Sequence, residues 1–207
     1  MKKPTAVLFD LHGLFQHFTN DGAARGEAAA GLPPGTITTY AYHHPDYEAA
    51  KVGLITDEEW ARGVARRLVS DFGPAAAAAV PPWRADRGYA NPLMINLLGQ
   101  VMEVVEAGIL SNFTDAMHTD LARHRIVPHH AYCSADLGIT KPSPFVFREA
   151  ADRMGIPPQN IFYFDDEMTF VAGARIAGLS AELFTTPQAC AQRLHALGIP
   201  VHLEAKG

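Results

Sequence analysis

Cysteine is nearly missing from this chain: Cys133 and Cys190 are the only two in 207 residues. Two thiols so far apart build neither a disulfide framework nor a cysteine metal cluster, and a reducing, cytoplasmic setting is the expectation. Basic charge is not in surplus either. The net charge of -5 leaves no broad cationic surface for a polyanion, which sets nucleic acid aside as a partner. No apolar run approaches the ~20 residues that a membrane-spanning helix needs, so no membrane contact is expected. The opening "MKKPT" meets Asp10 too soon to form the apolar region of a signal peptide. What the chain has is 48% hydrophobic and 19% charged residues, the balance of a globular protein able to bury a proper core.

The apolar residues come in short bursts, and each burst stops at polar residues. "AVLFDLHGLF" carries Ala6–Phe9 into Asp10, Leu11, His12 and Gly13. Continuous rather than alternating hydrophobicity marks a strand covered on both faces. A second run, 108–110, leads into Ser111 and Asn112, and a short third lies around 131–133. The clearest, 161–164, leads directly into Asp165 and Asp166, and a last strand is expected over 181–184. Helical patterns fall between them at 116–125, 144–154 and 168–177, with another at 187–197. Alternation of this kind predicts an α/β fold, a doubly wound sheet of about five parallel strands with helices on both faces.

Residues 16–89 break the rhythm. A Gly- and Ala-rich start and "TYAYHHPDYEAAKVG" precede one strong helix, "ITDEEWARGVARRLVSDFG". Thr56 and Glu59 form a capping box there, with Trp60, Val64, Leu68 and Phe72 on one face. A short helix is expected over 75–80, ended by Pro81 and Pro82. The reading is a core domain of 1–15 and 90–207 with a helical insertion, 16–89.

In an open parallel sheet, ligands bind beyond the carboxyl ends of the strands. Here three strands end in Asp10, Ser111 and the Asp165/Asp166 pair, all at one edge. Lys141, in "GITKPSPF", precedes a helix and is placed to face the same edge. Clustered carboxylates repel and are costly to desolvate, which favours a cation, and all-oxygen ligation suits magnesium.

An aspartate on the first strand, a serine on the second, a lysine before a helix and paired acids on a later strand together resemble the haloacid dehalogenase superfamily of hydrolases. "GLITDEEWARGV" resembles the helical cap inserted in one of its subfamilies. "DLGITKPSPFVF" and "FDDEMTFVAGARIAGL" are most similar to bacterial sugar-phosphate phosphatases and the phosphatase domain of epoxide hydrolases. The resemblance implies that Asp10 attacks phosphorus and forms an aspartyl phosphate. It implies magnesium held by Asp10, the backbone carbonyl of His12 and Asp166, with Asp165 nearby or acting through water. Ser111, the Asn112 backbone N–H and Lys141 would bind phosphoryl oxygens, and Gly13 would let the chain turn closely around the phosphate. The substrate so implied is a small phosphorylated metabolite. Neither its identity nor the oligomeric state is legible.

Two positions depart from the family pattern. His12 stands where most of its phosphatases carry a second aspartate that protonates the leaving oxygen and then activates water. An imidazole is able to do that work. Phe170 stands where an asparagine usually supports the metal ligands. Two alternatives therefore stay open: a dehalogenase-type hydrolase in which Asp10 attacks carbon, and a non-catalytic protein that keeps the fold. The paired acids count against the first. His43–His44 and His129–His130 lack the spacing of a zinc helix and read as loop residues. Trp83 and Arg84 read as a packed ring and a surface cation, although both lie near the return from insertion to core.

Overall fold

The computed structural model describes residues 3–203. Five parallel strands form the central sheet: β1 (Ala6–Phe9), β4 (Glu106–Ser111), β5 (His130–Cys133), β6 (Ile161–Asp165) and β7 (Ser180–Leu183). Their spatial order is β5-β4-β1-β6-β7, so the first strand sits at the centre. The order reverses on either side of β1, which opens a crevice at the carboxyl ends of β1, β4 and β6.

The continuous apolar runs have the cause expected of them. Val7 and Phe9 pack with Ile109, Phe162 and Phe164 on one face of the sheet. Ala6 and Leu8 pack with Leu110, Ile161 and Tyr163 on the other. Helices α6 (Pro92–Met102), α7 (Met117–His124) and α11 (Pro187–Ala196) cover the first face. Helices α9 (Pro144–Met154) and α10 (Met168–Ala177) cover the second, and the single-turn α8 (Ser134–Leu137) follows β5. None of the helices among the described residues is long and apolar enough to cross a membrane.

Between β1 and α6 the chain makes a short antiparallel ribbon, β2 (Gln16–His17) with β3 (Tyr89–Ala90), at the way into and out of the helical segment. That segment holds α1 (Asp21–Ala30), α2 (Thr36–Tyr42), α3 (Pro45–Lys51), α4 (Asp57–Phe72) and α5 (Val80–Ala85), around a cluster of its own that includes Ile37, Trp60, Val64, Leu68 and Trp83. The capping box on α4 forms in both directions between Thr56 and Glu59.

Two local expectations need correction. Phe72 does not join the buried face of α4: at the helix end it is 44% exposed, with its ring against that of Tyr40. Pro81 and Pro82 do not end a helix but open one. Residues Pro74–Ala79 form a 3-10 turn and α5 starts at Val80 with the prolines in its first turn, where the missing N–H groups have no intrahelical acceptor to lose.

Candidate active site

The carboxyl edge of the sheet gathers the expected residues. Asp10 follows β1 directly and its N–H donates to the Phe164 carbonyl at 2.9 Å, so it is held in the ladder although it lies past the strand. Asp165 is the last residue of β6 and Ser111 the last of β4, both buried. Asp166 comes next, with Asn112 in the turn after Ser111. Lys141 arrives from the loop before α9 and is only 3% exposed.

Lysine chemistry organises the buried half of the site. The Lys141 ammonium lies 2.8 Å from Asp10 Oδ1 and 2.7 Å from Asp165 Oδ2. It also donates to the Tyr163 hydroxyl at 3.0 Å, and that hydroxyl donates to Asp165 Oδ2. The other oxygen of Asp165 accepts the Glu167 N–H at 2.8 Å. Asp165 is thus consumed by protein donors, although burial still pushes its pKa up against the pull of Lys141. Asn112 fixes the lysine from the backbone side. Its side-chain N–H donates to the Lys141 carbonyl at 2.9 Å and its oxygen accepts the Lys141 N–H at 2.7 Å. The Asn112 side chain therefore positions Lys141, a role that the sequence reading, which used only its backbone N–H, did not contain.

Asp166 has a different environment. Carboxylate oxygens of Asp10, Asp165 and Asp166 lie within 4.8 Å of one another. Lys141 pairs with the first two, and no ion pair reaches Asp166 among the described residues. Partial burial, then the charges of Asp10 and Asp165, push its pKa up to about 6. Its carboxylate rests against Gly13, where a Cβ would meet Oδ2 at 1.9 Å and φ is +75°. Glycine at 13 is thus required by the closeness of Asp166 as well as by the left-handed backbone. One ammonium against three carboxylates leaves an excess of negative charge. Hard oxygen donors in that excess fit a magnesium ion, which would be held by Asp10 and Asp166.

This arrangement has a testable consequence in metal-free protein. Asp166 holds its proton to a higher pH when folded than when unfolded, so its contribution favours folding below about pH 4 and is lost as pH rises through about 6. In chelator, Asp166→Asn should gain melting temperature relative to wild type across that interval. Added magnesium should reverse the order, because only the carboxylate binds it. The exposure of Asp166 to solvent keeps the metal-free effect small. Parallel pH profiles that never diverge would remove Asp166 from the metal site.

His12 lies between two rings, 5.3 Å from Phe18 and 4.7 Å from Phe113, centroid to centroid. Its Nε2 is buried without a protein hydrogen-bond partner. Burial, partly offset by Asp10, pushes its pKa below the ordinary histidine value. Phe170 proves to be more than a missing asparagine: its ring centroid lies 4.6 Å from the Lys141 ammonium, a cation–π contact that covers the lysine. In the sequence Tyr163 is one more apolar strand residue; its hydroxyl, which bonds Lys141 and Asp165, gives no periodic signal. His44 caps α3 and His130 meets Glu106, both outside the site.

A central parallel sheet, an insertion after the first strand and acids at the switch point define the class, the fold of haloacid dehalogenase (HAD) family enzymes. No family model matches the chain. Solved structures do. A HAD family enzyme of Bacteroides thetaiotaomicron, in complex with magnesium and inorganic phosphate, is 17% identical with a TM-score of 0.67, over 88% of this chain and 94% of that one. A predicted HAD-like family hydrolase from Porphyromonas gingivalis is 18% identical with a TM-score of 0.72, over 93% and 98%. A 2-haloacid dehalogenase from Pseudomonas syringae is 22% identical with a TM-score of 0.62, over 87% and 85%. At these identities the likeness carries the fold, and the chemistry has to be argued from the site.

Proposed function

We propose that the protein is a magnesium-dependent HAD hydrolase that removes phosphate from a small phosphorylated metabolite through an aspartyl phosphate on Asp10, with residues 16–89 as its cap domain. The observation that carries this reading is Asp166, a carboxylate in a cluster of three that the single ammonium leaves unmatched. Attack on carbon by a dehalogenase gives such a carboxylate nothing to do. A phosphoryl group with its cation does.

Asp10 attacks phosphorus, the bond to the leaving oxygen breaks, and water then cleaves the acyl phosphate to restore the carboxylate. Lys141 holds Asp10 Oδ1 and fixes the carboxylate for attack. With Ser111 and the Asn112 N–H it also binds the phosphoryl oxygens. Magnesium, bound by Asp10, Asp166 and the His12 carbonyl, with Asp165 behind them, would neutralise charge on the transferred group. His12, as imidazolium, would give a proton to the departing oxygen and, then neutral, take one from the attacking water; its Nε2 has no protein partner to compete for that exchange.

Phosphate release from a panel of small esters, with magnesium and with chelator, tests the proposal. Magnesium-dependent release from at least one ester is expected, and a folded protein inert on all of them contradicts it. On whichever ester is turned over, His12→Ala should slow the reaction by ~10²-fold or more and His12→Asp should recover most of it. Equal rates for wild type and His12→Ala would reduce His12 to a space-filling ring.

A further inference from the structure

A cavity of about 250 Å³ lies between the helical segment and the carboxyl edge, with His12 as part of its wall. Six of the side chains that line it carry aromatic rings: Phe18, Tyr42, Tyr47, Trp60, Trp83 and Phe113. They are packed against one another, Tyr42 to Tyr47 at 5.0 Å, Tyr47 to Trp60 at 5.1 Å and Trp60 to Trp83 at 5.2 Å between centroids, so the box is already formed. An engineered apolar cavity of about 150 Å³ takes up benzene, and by that scale this one has room for a group of one or two rings.

The charged groups in the wall are already matched. Arg84 pairs with buried Asp57, which also accepts from the Thr114 hydroxyl at 2.7 Å. Arg87 makes a two-pronged pair with buried Asp120, at 2.8 and 2.6 Å. The Asp86 carboxylate takes the N–H groups of Gly22 and Gly88 at 2.6 and 3.1 Å. Neither arginine is left over for a second anionic group. Among these lining residues, His12 carries a ring nitrogen, Nε2, that is buried without a protein partner. A ligand in the box thus meets packed rings at one end and His12 at the other.

Resting on the phosphatase reading above, we infer that the substrate is the phosphate monoester of an uncharged aromatic alcohol, its ring in this box and its bridging oxygen at His12. Bisphosphates, which present a second charge, are disfavoured by the same wall.

The test compares naphthylmethyl phosphate with glycerol phosphate, both esters of primary alcohols, so that ring burial rather than leaving-group reactivity sets the difference. A kcat/KM ratio of at least about tenfold for the aromatic ester is expected. Tyr42→Ala, at a residue 39% exposed and hence outside the tightest packing, should lower that ratio several-fold, with the fold checked by circular dichroism. An independent readout is available because Trp60 and Trp83 are the only tryptophans in the chain and both line the box. Naphthylmethanol, which carries no phosphate, should change their fluorescence saturably in wild type and more weakly in Tyr42→Ala. Glycerol phosphate turned over as well as the aromatic ester would overturn this inference and leave the phosphatase reading standing. If neither ester is hydrolysed, the wider ester panel judges the phosphatase reading and the fluorescence titration judges the box: no saturable change overturns this inference.

Discussion

Asp10→Asn should abolish phosphate release, by ~10⁴-fold or more, and leave the protein folded. The amide has the shape of the carboxylate, and the backbone N–H that ties residue 10 to Phe164 is untouched. The change removes an ion pair with Lys141 but also one of three crowded negative charges, and Asp165 remains as the lysine's partner. Stability at neutral pH should therefore change little, while the pKa of Asp166, raised in part by Asp10, should fall. A phosphate-release assay beside a melting curve checks both halves. Substantial turnover by the variant would make Asp10 a ligand and not the nucleophile.

Lys141→Met should fail in the opposite manner, losing stability as well as activity. The ammonium is buried with Asp10 and Asp165, which are 5% and 0% exposed, so its removal strands two carboxylates in the interior. Breaking a buried pair in this way costs ~3–5 kcal/mol, or ~10 °C in melting temperature for a chain of this size. The loss depends on pH. Burial already raises the pKa of Asp165, and without Lys141 it rises further, so the folded variant binds more protons than the unfolded one. Its stability should therefore recover as pH falls toward the ordinary carboxylate range and decline as pH rises. Thermal melts across pH settle the sign. A variant that melts with wild type at neutral pH would mean that water already solvates the two acids.

These residues also show what sequence could and could not supply. β1 and β6 were legible because both faces of each are covered, which leaves a continuous apolar run with no competing pattern, and because each ends where the polar edge begins. The helix bounds of α9 and α10 were legible from their periodicity. The helical segment was harder. Short α1, α2 and α3 bury mostly alanine, glycine and isolated larger side chains, too few for a strong period. Asp57, in the first turn of α4, is buried and joined to Arg84 and Thr114, long-range partners that no local pattern announces. The aromatic box escaped for the same reason: its rings come from five separate stretches of chain. Phe170 was noticed as a departure, but only the fold shows that its ring lies over Lys141.

The account stands most directly on a phosphoryl group carried by Asp10. Hydroxylamine added during turnover of a hydrolysed ester converts an acyl phosphate to a hydroxamate, and peptide mass spectrometry locates it. The prediction is a hydroxamate on the peptide bearing Asp10, formed only with substrate and magnesium present and absent from Asp10→Asn. Phosphate released at the full rate with no trapped adduct on Asp10, or with the adduct on another residue, would contradict it.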